Sequence, residues 1–337
     1  MLRKFILLTV ILVSLPLHAQ PAWSWGADGH RTVGAIADLL LASHPVTSRL
    51  VTALLKGNSL SEASLFADCA KGFTYCHRKP SDDEVAYVKL NHNHHAYHYA
   101  DIPIQQSEYR AGTAGTGSDD VVQIIRYAVQ VLRGTAPTNA PADLMEDEAV
   151  WVLAHLIGDI HQPLHVGAIY YDHECENIVD PNVAGAGQRN FGIGGSIFDT
   201  TGGNDLMIND TKSLHSYWDS STVTGAMRLR HIRNKAVSEF AANIVAHPPT
   251  GWETNGDVED WSTIWATEVM PAATDALDEL DIGDASQKVG QKGTTCTAAI
   301  SFDRNYTDTA NKVALTQLGK AGFRLAALLI AIFEGGQ

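Results

Sequence analysis

Apolar residues recur at three- and four-residue spacing along most of this chain, the signature of helices that bury one face. The pattern predicts helices over 33–41, 121–132, 142–162, 211–219, 227–247, 258–280 and 311–333. Ser118, Asp119 and Asp120 supply caps ahead of the second of these. Pro271 should kink the sixth, and the apolar run 325–333 reads as a buried terminal helix. No run of alternating residues announces a strand, apart from one extended candidate over 94–101. Two irregular stretches interrupt the helices: 72–98, with Pro80 and a cluster of His92, His94, His95 and His98, and the Gly-rich 168–205. A loop as long as the second is often functional. Internal repeats and long low-complexity linkers are absent, so the pattern points to one all-α, multi-helix domain.

The first 24 residues read differently. Arg3 and Lys4 precede an apolar run over 5–17, and Ala22 and Ser24 are the small residues a signal peptidase reads. This predicts a leader over 1–24, cleaved after Ser24, and a secreted or periplasmic mature chain over 25–337 that begins at Trp25. Cleavage after Ala22 fits less well. The leader's apolar run is short for a membrane anchor, and no other segment looks long and apolar enough to be one. No obligate protein partner is evident.

The chain is acidic, with 38 Asp and Glu against 24 Lys and Arg and a formal charge of −14. That argues against a nucleic-acid binder working through a basic patch, unless bound metal supplies the positive charge. The four cysteines allow three pairings. Cys69–Cys76 is the preferred short loop, leaving Cys175–Cys296. Neither CxxC nor finger spacing is present, so in an exported chain disulfides are the better reading. Asn209-Asp210-Thr211 and Asn305-Tyr306-Thr307 are glycosylation sequons.

The chemistry is concentrated in residues 151–165, WVLAHLIGDIHQPLH. Three histidines and an aspartate interrupt an apolar helical pattern, where burying them without partners is costly. His155 and Asp159 are four apart and share a helix face. Pro163 ends the helix and lets His165 swing toward the same space. His215 and Asp219 repeat the four-residue offset downstream. Imidazole with carboxylate is a zinc-type donor set, so two such pairs suggest a multinuclear centre. A free amine at Trp25 and its carbonyl could chelate one ion, with His30 adding a third donor. His161 projects off the His155–Asp159 face and reads as support for the ligands. His92, His94 and His95 read as exposed or supporting residues.

In order along the chain stand Trp25-Gly-x-x-Gly29-His30, Ala67-Asp68, His98-Tyr99-x-Asp101, His155-x-x-x-Asp159 with His161-Gln-Pro-Leu-His165, Gly202-Gly203-Asn204 and His215-x-x-x-Asp219. This ordered set resembles the S1/P1 nuclease family, over nearly all of the mature chain. The resemblance implies an all-α zinc enzyme that hydrolyses single-stranded DNA and RNA to 5′-phosphate products, with 3′-nucleotidase activity. It implies three zinc ions. One would be held by Asp68, His98, His155 and Asp159; a second by Trp25, His30 and a bridging Asp159; a third by His165, His215 and Asp219. A water activated at the Asp159-bridged pair would attack phosphorus in line, and the third ion would take the phosphate and leaving oxygens.

The resemblance further implies a nucleobase pocket of Tyr99, Asp101 and Asn204. Tyr99 would stack on the base, and a pocket that needs the base unstacked would favour single strands. Tyr99 as a core aromatic and Asn204 as a turn residue are the alternatives. Lys71 stands where family members often carry an Arg beside the phosphate. It keeps the charge but loses the bidentate fork. The 168–205 stretch looks longer than in compact members. Two rival functions remain open: a zinc phospholipase C-type phosphodiesterase, disfavoured by the short Trp25–His30 gap and by Asp219 in place of Glu, and a non-catalytic secreted zinc-binding protein.

Overall fold

Two helices from opposite ends of the chain form the spine of the molecule. The N-terminal helix, Gly26–Leu41, lies along the C-terminal helix, Arg304–Phe333. They touch closely at Gly322, where a Cβ would stand 2.5 Å from the Cβ of Ile36, so only glycine fits. The structure is a computed structural model that describes residues 25–183, 197–234, 236–290 and 293–335. The expected leader, its cleavage site and part of the 168–205 stretch lie outside the described residues.

Against this spine packs a central helix, Glu146–Asp159, buried continuously from Glu148 to Asp159. Its start is fixed by the Glu148 carboxylate, which accepts the Met145 N–H at 2.9 Å. Glu146, Asp147 and Glu148 also favour the positive end of the helix dipole. Helix Val121–Arg133 covers its flank, capped by Asp120, whose carboxylate accepts the Gln123 N–H at 3.0 Å. Of the three expected capping residues, Asp120 fills the N-cap position. A second apolar cluster, around Leu164, Trp218, Leu277 and Ala298, lies under the small sheets. Trp218 Nε1–H donates to the Tyr306 hydroxyl, and that hydroxyl to the Ala276 carbonyl, each at 2.9 Å, which ties three elements together there.

The helical class agrees with the sequence pattern, but several elements differ. The expected helix over 227–247 is two, Val223–Leu229 and Val237–Ala246, with left-handed backbone at His231 (φ 59°) and Asn234 (φ 55°) between them. The expected helix over 211–219 is a short strand, Lys212–Ser213, then a helix, Leu214–Tyr217, that opens into a π-turn, Trp218–Thr222. Pro271 sits inside Trp261–Asp278 as expected. The C-terminal helix starts at Arg304, ahead of the expected 311, because Asp303 caps it by accepting the Tyr306 N–H at 2.9 Å. At 30 residues it is also long and apolar enough to cross a membrane, which the sequence reading missed, although 61% of its apolar window is buried in the protein.

Strands are the main departure. Gly293–Ser301 pairs antiparallel with Ser286–Gly290 and Asp281–Ile282, and parallel with Leu206–Asn209. Its inward residues, Cys296, Ala298 and Ile300, do alternate. Two of the three are too small to stand out from the Thr and Ala around them. The extended candidate over 94–101 is instead a tight turn, Ala96–His98, followed by Ile102–Pro103, which runs parallel to Gly167–Ala168. Strands Tyr170–Asp172 and Ile197–Asp199 pair antiparallel inside the long 168–205 stretch. Cys69–Cys76 and Cys175–Cys296 are the disulfides, in the preferred pairing.

Candidate metal centre

The end of the central helix, the Gln162–His165 turn and the π-turn meet on one point. Asp159 lies at its middle, fully buried and approached by four imidazoles: His98 Nδ1 at 2.8 Å, His155 Nε2 at 3.2 Å, His30 Nε2 at 3.3 Å and His165 Nδ1 at 3.9 Å. Asp68 Oδ1 stands 3.7 Å from His155 Nε2. On the other side His215 Nε2 is 3.1 Å from His165 Nε2 and 3.6 Å from Asp219 Oδ2. The donors fall into three groups able to hold an ion: His30, His155 and Asp159; Asp68, His98 and His155; His165, His215 and Asp219.

Ring orientation is imposed by the backbone. The Nδ1–H of His155 donates to the Ser64 carbonyl at 2.6 Å, that of His165 to His98 O at 2.7 Å, and that of His215 to Gly202 O at 2.8 Å. Each bond selects the tautomer that leaves Nε2 as a lone-pair donor, the arrangement metal-binding histidines require. The His30 ring stacks on that of His155, with centroids 3.8 Å apart. Gln162 Nε2 donates to Asp219 Oδ1 at 2.8 Å.

Electrostatics fit a cation. Burial pushes His98 and His215 down to about 3 and lowers His30 and His165, so these rings are neutral at neutral pH. Burial opposes charge on His155 too, but Asp159 and Asp68 outweigh it and raise that ring. Burial alone would raise Asp68 and Asp159. Lys71 and three imidazoles hold Asp68 well below the carboxylate range, and His155 and His165 do the same for Asp159. Asp219 is raised well above that range, first by burial. Among the described residues, Oδ2 of Asp68 and Oδ2 of Asp219 are buried without hydrogen-bond partners, and Oδ1 of Asp159 faces His30 Nε2 at 3.3 Å. Orphaned carboxylate oxygens beside imidazole nitrogens 3.1 Å apart are costly to bury alone, and metal ions between them would remove the cost. The donor set therefore fits zinc.

Trp25 reaches the same place. Its indole is fully buried, its backbone is left-handed (φ 40°), and its N–H donates to the Asp219 carboxylate. Its carbonyl accepts the Gly29 N–H at 3.1 Å. Lys71 Nζ is 2.8 Å from Asp68 Oδ1 and lies 5.5 Å from the centre of the Tyr75 ring.

A second feature adjoins the cluster. Asp101 is buried, and burial, then the nearby Asp199, raise its carboxyl well above the carboxylate range. Tyr99 is half-buried, its hydroxyl pushed up by burial and then by Asp101 and Asp199. The Asn204 amide donates to Thr201 O at 2.9 Å and so closes the turn. Gly202 is left-handed (φ 56°), and a Cβ there would sit 2.0 Å from Leu164 O.

His161 does not aim at the centre. Its Nδ1–H donates to Ile157 O at 2.7 Å and its Nε2 accepts from Arg324 Nη1 at 3.0 Å. His92 and His95 are exposed, and His94 is buried against Tyr87 and His95. Sequence reasoning passed over Gly158, Gln162, Asp199 and the three orienting carbonyls. Gln162 was legible, being a polar residue inside the His161–His165 motif.

Residues 25–334 match the family model described as S1/P1 Nuclease. Endonuclease 3 of Arabidopsis thaliana is 24% identical over 342 residues, covering 99% of this chain and 96% of the relative. Endonuclease 5 of the same plant is 22% identical over 339 residues, covering 99% and 97%. Nuclease S1 of Aspergillus oryzae (strain ATCC 42149 / RIB 40) is 24% identical over 340 residues, covering 96% of each chain.

Proposed function

The chain belongs to the S1/P1 nuclease family and is a hydrolase of phosphodiester bonds; from that premise we propose that it cuts single-stranded DNA and RNA with three zinc ions. The observation that carries the reading is Asp159, one buried carboxylate met by four imidazoles, the environment of a bridging ligand. Asp68, His98, His155 and Asp159 would hold one ion. Trp25, His30 and Asp159 would hold the second, and His165, His215 and Asp219 the third. Zinc held there would supply Lewis-acid charge and lower the pKa of a coordinated water toward about 7.

The protein's own residues do the rest. Asp159 would be the ligand shared by two ions. The carbonyls of Ser64, His98 and Gly202 keep three rings aimed inward. Lys71, held on Asp68, presents its ammonium to the phosphate. Tyr99 and Asp101 receive one nucleobase beside the cluster, and the Gly202–Asn204 turn closes that pocket. A site that takes one base and one phosphate suits 3′-nucleotidase activity as well as endonucleolytic cleavage, and a base drawn from its stack favours single strands. Products would carry 5′-phosphates. Export with cleavage after Ser24 would turn the Trp25 N–H, now on Asp219, into a free amine at the cluster.

Release of acid-soluble nucleotides from single-stranded DNA, compared with duplex DNA and with phosphatidylcholine, tests this. Rapid chelator-sensitive digestion of single strands alone supports it. Hydrolysis of the phospholipid instead, or neither activity from zinc-loaded protein, overturns it. Asp159→Asn should lose at least about a thousandfold in rate, as loss of a buried ligand charge shared by two ions demands.

A further inference from the structure

In the group His165, His215 and Asp219, the two rings are aimed by backbone carbonyls of His98 and Gly202. Asp219 is steered by a side chain instead, that of Gln162. This residue is fully buried in the turn between Asp159 and His165. Its Nε2–H donates to Asp219 Oδ1 at 2.8 Å, and its Oε1 accepts the Leu164 N–H at 2.5 Å. The second bond fixes which way the amide faces. Turned over, it would lose the Leu164 N–H and set its own oxygen against the Asp219 carboxylate, acceptor against acceptor. Leu164 directly precedes His165, so one amide couples the Asp219 carboxylate to the turn that carries the imidazole.

An aspartate carboxylate has two oxygens, and its terminal torsion is broad. With Oδ1 held by Gln162, Oδ2 is the oxygen left open. It is buried without a hydrogen-bond partner and stands 3.6 Å from His215 Nε2. That nitrogen is 3.1 Å from His165 Nε2, so the open oxygen faces the same gap as both rings. Among the described residues, the Gln162 side chain makes no hydrogen bond to a donor of the other two groups. There Asp68 is braced by Lys71, and Asp159 by imidazoles. Removing the amide therefore acts on one ion site of the three.

We propose that Gln162 is a positioning residue for the third ion: it fixes which oxygen Asp219 offers and ties that choice to the His165 turn. This rests on the three-ion reading above. The test withdraws zinc from the wild type and from Gln162→Met with a chromophoric chelator, counts zinc per chain by elemental analysis, and follows single-strand hydrolysis against free zinc. Methionine keeps the length of the side chain but brings no N–H donor and only a weak acceptor. Gln162→Met should hold two ions as tightly as the wild type and the third tenfold to hundredfold more weakly. Hydrolysis should return as added zinc refills that site. A merely structural role would loosen all three ions together, so the two retained ions are the internal control. Equal weakening of all three, three ions at wild-type affinity, or hydrolysis that stays lost with three ions bound overturns the role of Gln162 alone. A wild type that holds fewer than three ions overturns the three-ion reading, and the proposal with it.

Discussion

Gly158 lies directly beneath the imidazole of His30: a Cβ at position 158 would stand 2.8 Å from His30 Nδ1 and 3.0 Å from its Cε1. The ring that faces Asp159 thus occupies the space a side chain would fill, and it is sandwiched there by the stacked ring of His155.

Gly158→Ala should therefore move His30 away from Asp159. Alanine adds about 1 kcal/mol of helix propensity, so the helix itself should not suffer. The expected pattern is a tenfold to hundredfold loss of zinc affinity, the usual scale for a disturbed supporting contact, with undiminished helical circular dichroism. Competition with a chromophoric chelator measures the first. Wild-type affinity in the variant would contradict the packing argument.

Metal removal should destabilise the fold and abolish activity together. Among the described residues, buried carboxylate oxygens of Asp68 and Asp219 lack hydrogen-bond partners, and two pairs of imidazole nitrogens stand 3.1 Å apart. Ligands that bind only the native state stabilise it by mass action. Exhaustive chelation should lower the melting temperature by about 10 °C or more. Zinc should restore it and magnesium should not, because imidazole donors suit zinc. Calorimetry of metal-free, zinc-readded and magnesium-readded protein checks this.

The centre was legible where chemistry and periodicity coincide. His155 with Asp159, and His215 with Asp219, advertise themselves as polar pairs at helical spacing in apolar surroundings. The orienting partners of the rings were illegible for a simple reason: the carbonyls of Ser64, His98 and Gly202 are backbone atoms, and every residue carries one whatever its side chain. Gly158 was illegible because the ring it admits comes from the distant N-terminal helix. Asp199 was hidden in a stretch with no periodic signal. In the fold, apolar spacing ran straight through 227–247, because it does not register the left-handed turn at His231 and Asn234.

Asp205 predicts a pH dependence away from the metal cluster. Burial raises its carboxyl to about 6, outweighing the Thr295 hydroxyl at 3.3 Å and the smaller lowering effects of Lys288 and Thr201. Between the ordinary value of 3.8 and about 6 the folded state holds a proton that the unfolded state has lost. Stability from this group is therefore full below 3.8 and lost as pH rises through about 6. Asp205→Asn, which cannot ionise, should raise the urea midpoint at pH 8, a gain of up to about 2 kcal/mol in unfolding free energy. It should leave the midpoint at pH 4 nearly unchanged. An equal shift at both pH values would show that packing, not charge, is responsible.

Arg324 is 1% exposed yet fully employed. Its guanidinium donates to Trp252 O at 2.8 Å, Gly251 O at 3.3 Å and His161 Nε2 at 3.0 Å, and pairs with Glu268. Arg324→Met would keep much of the volume but strand a buried imidazole acceptor and two carbonyls, so it should cost about 3–5 kcal/mol. Glu268→Gln should cost less, because Glu268 is 38% exposed and water can replace it. The order of the two urea midpoints decides the matter. If Arg324→Met is the milder change, the guanidinium is not what holds the C-terminal helix to the His161 turn.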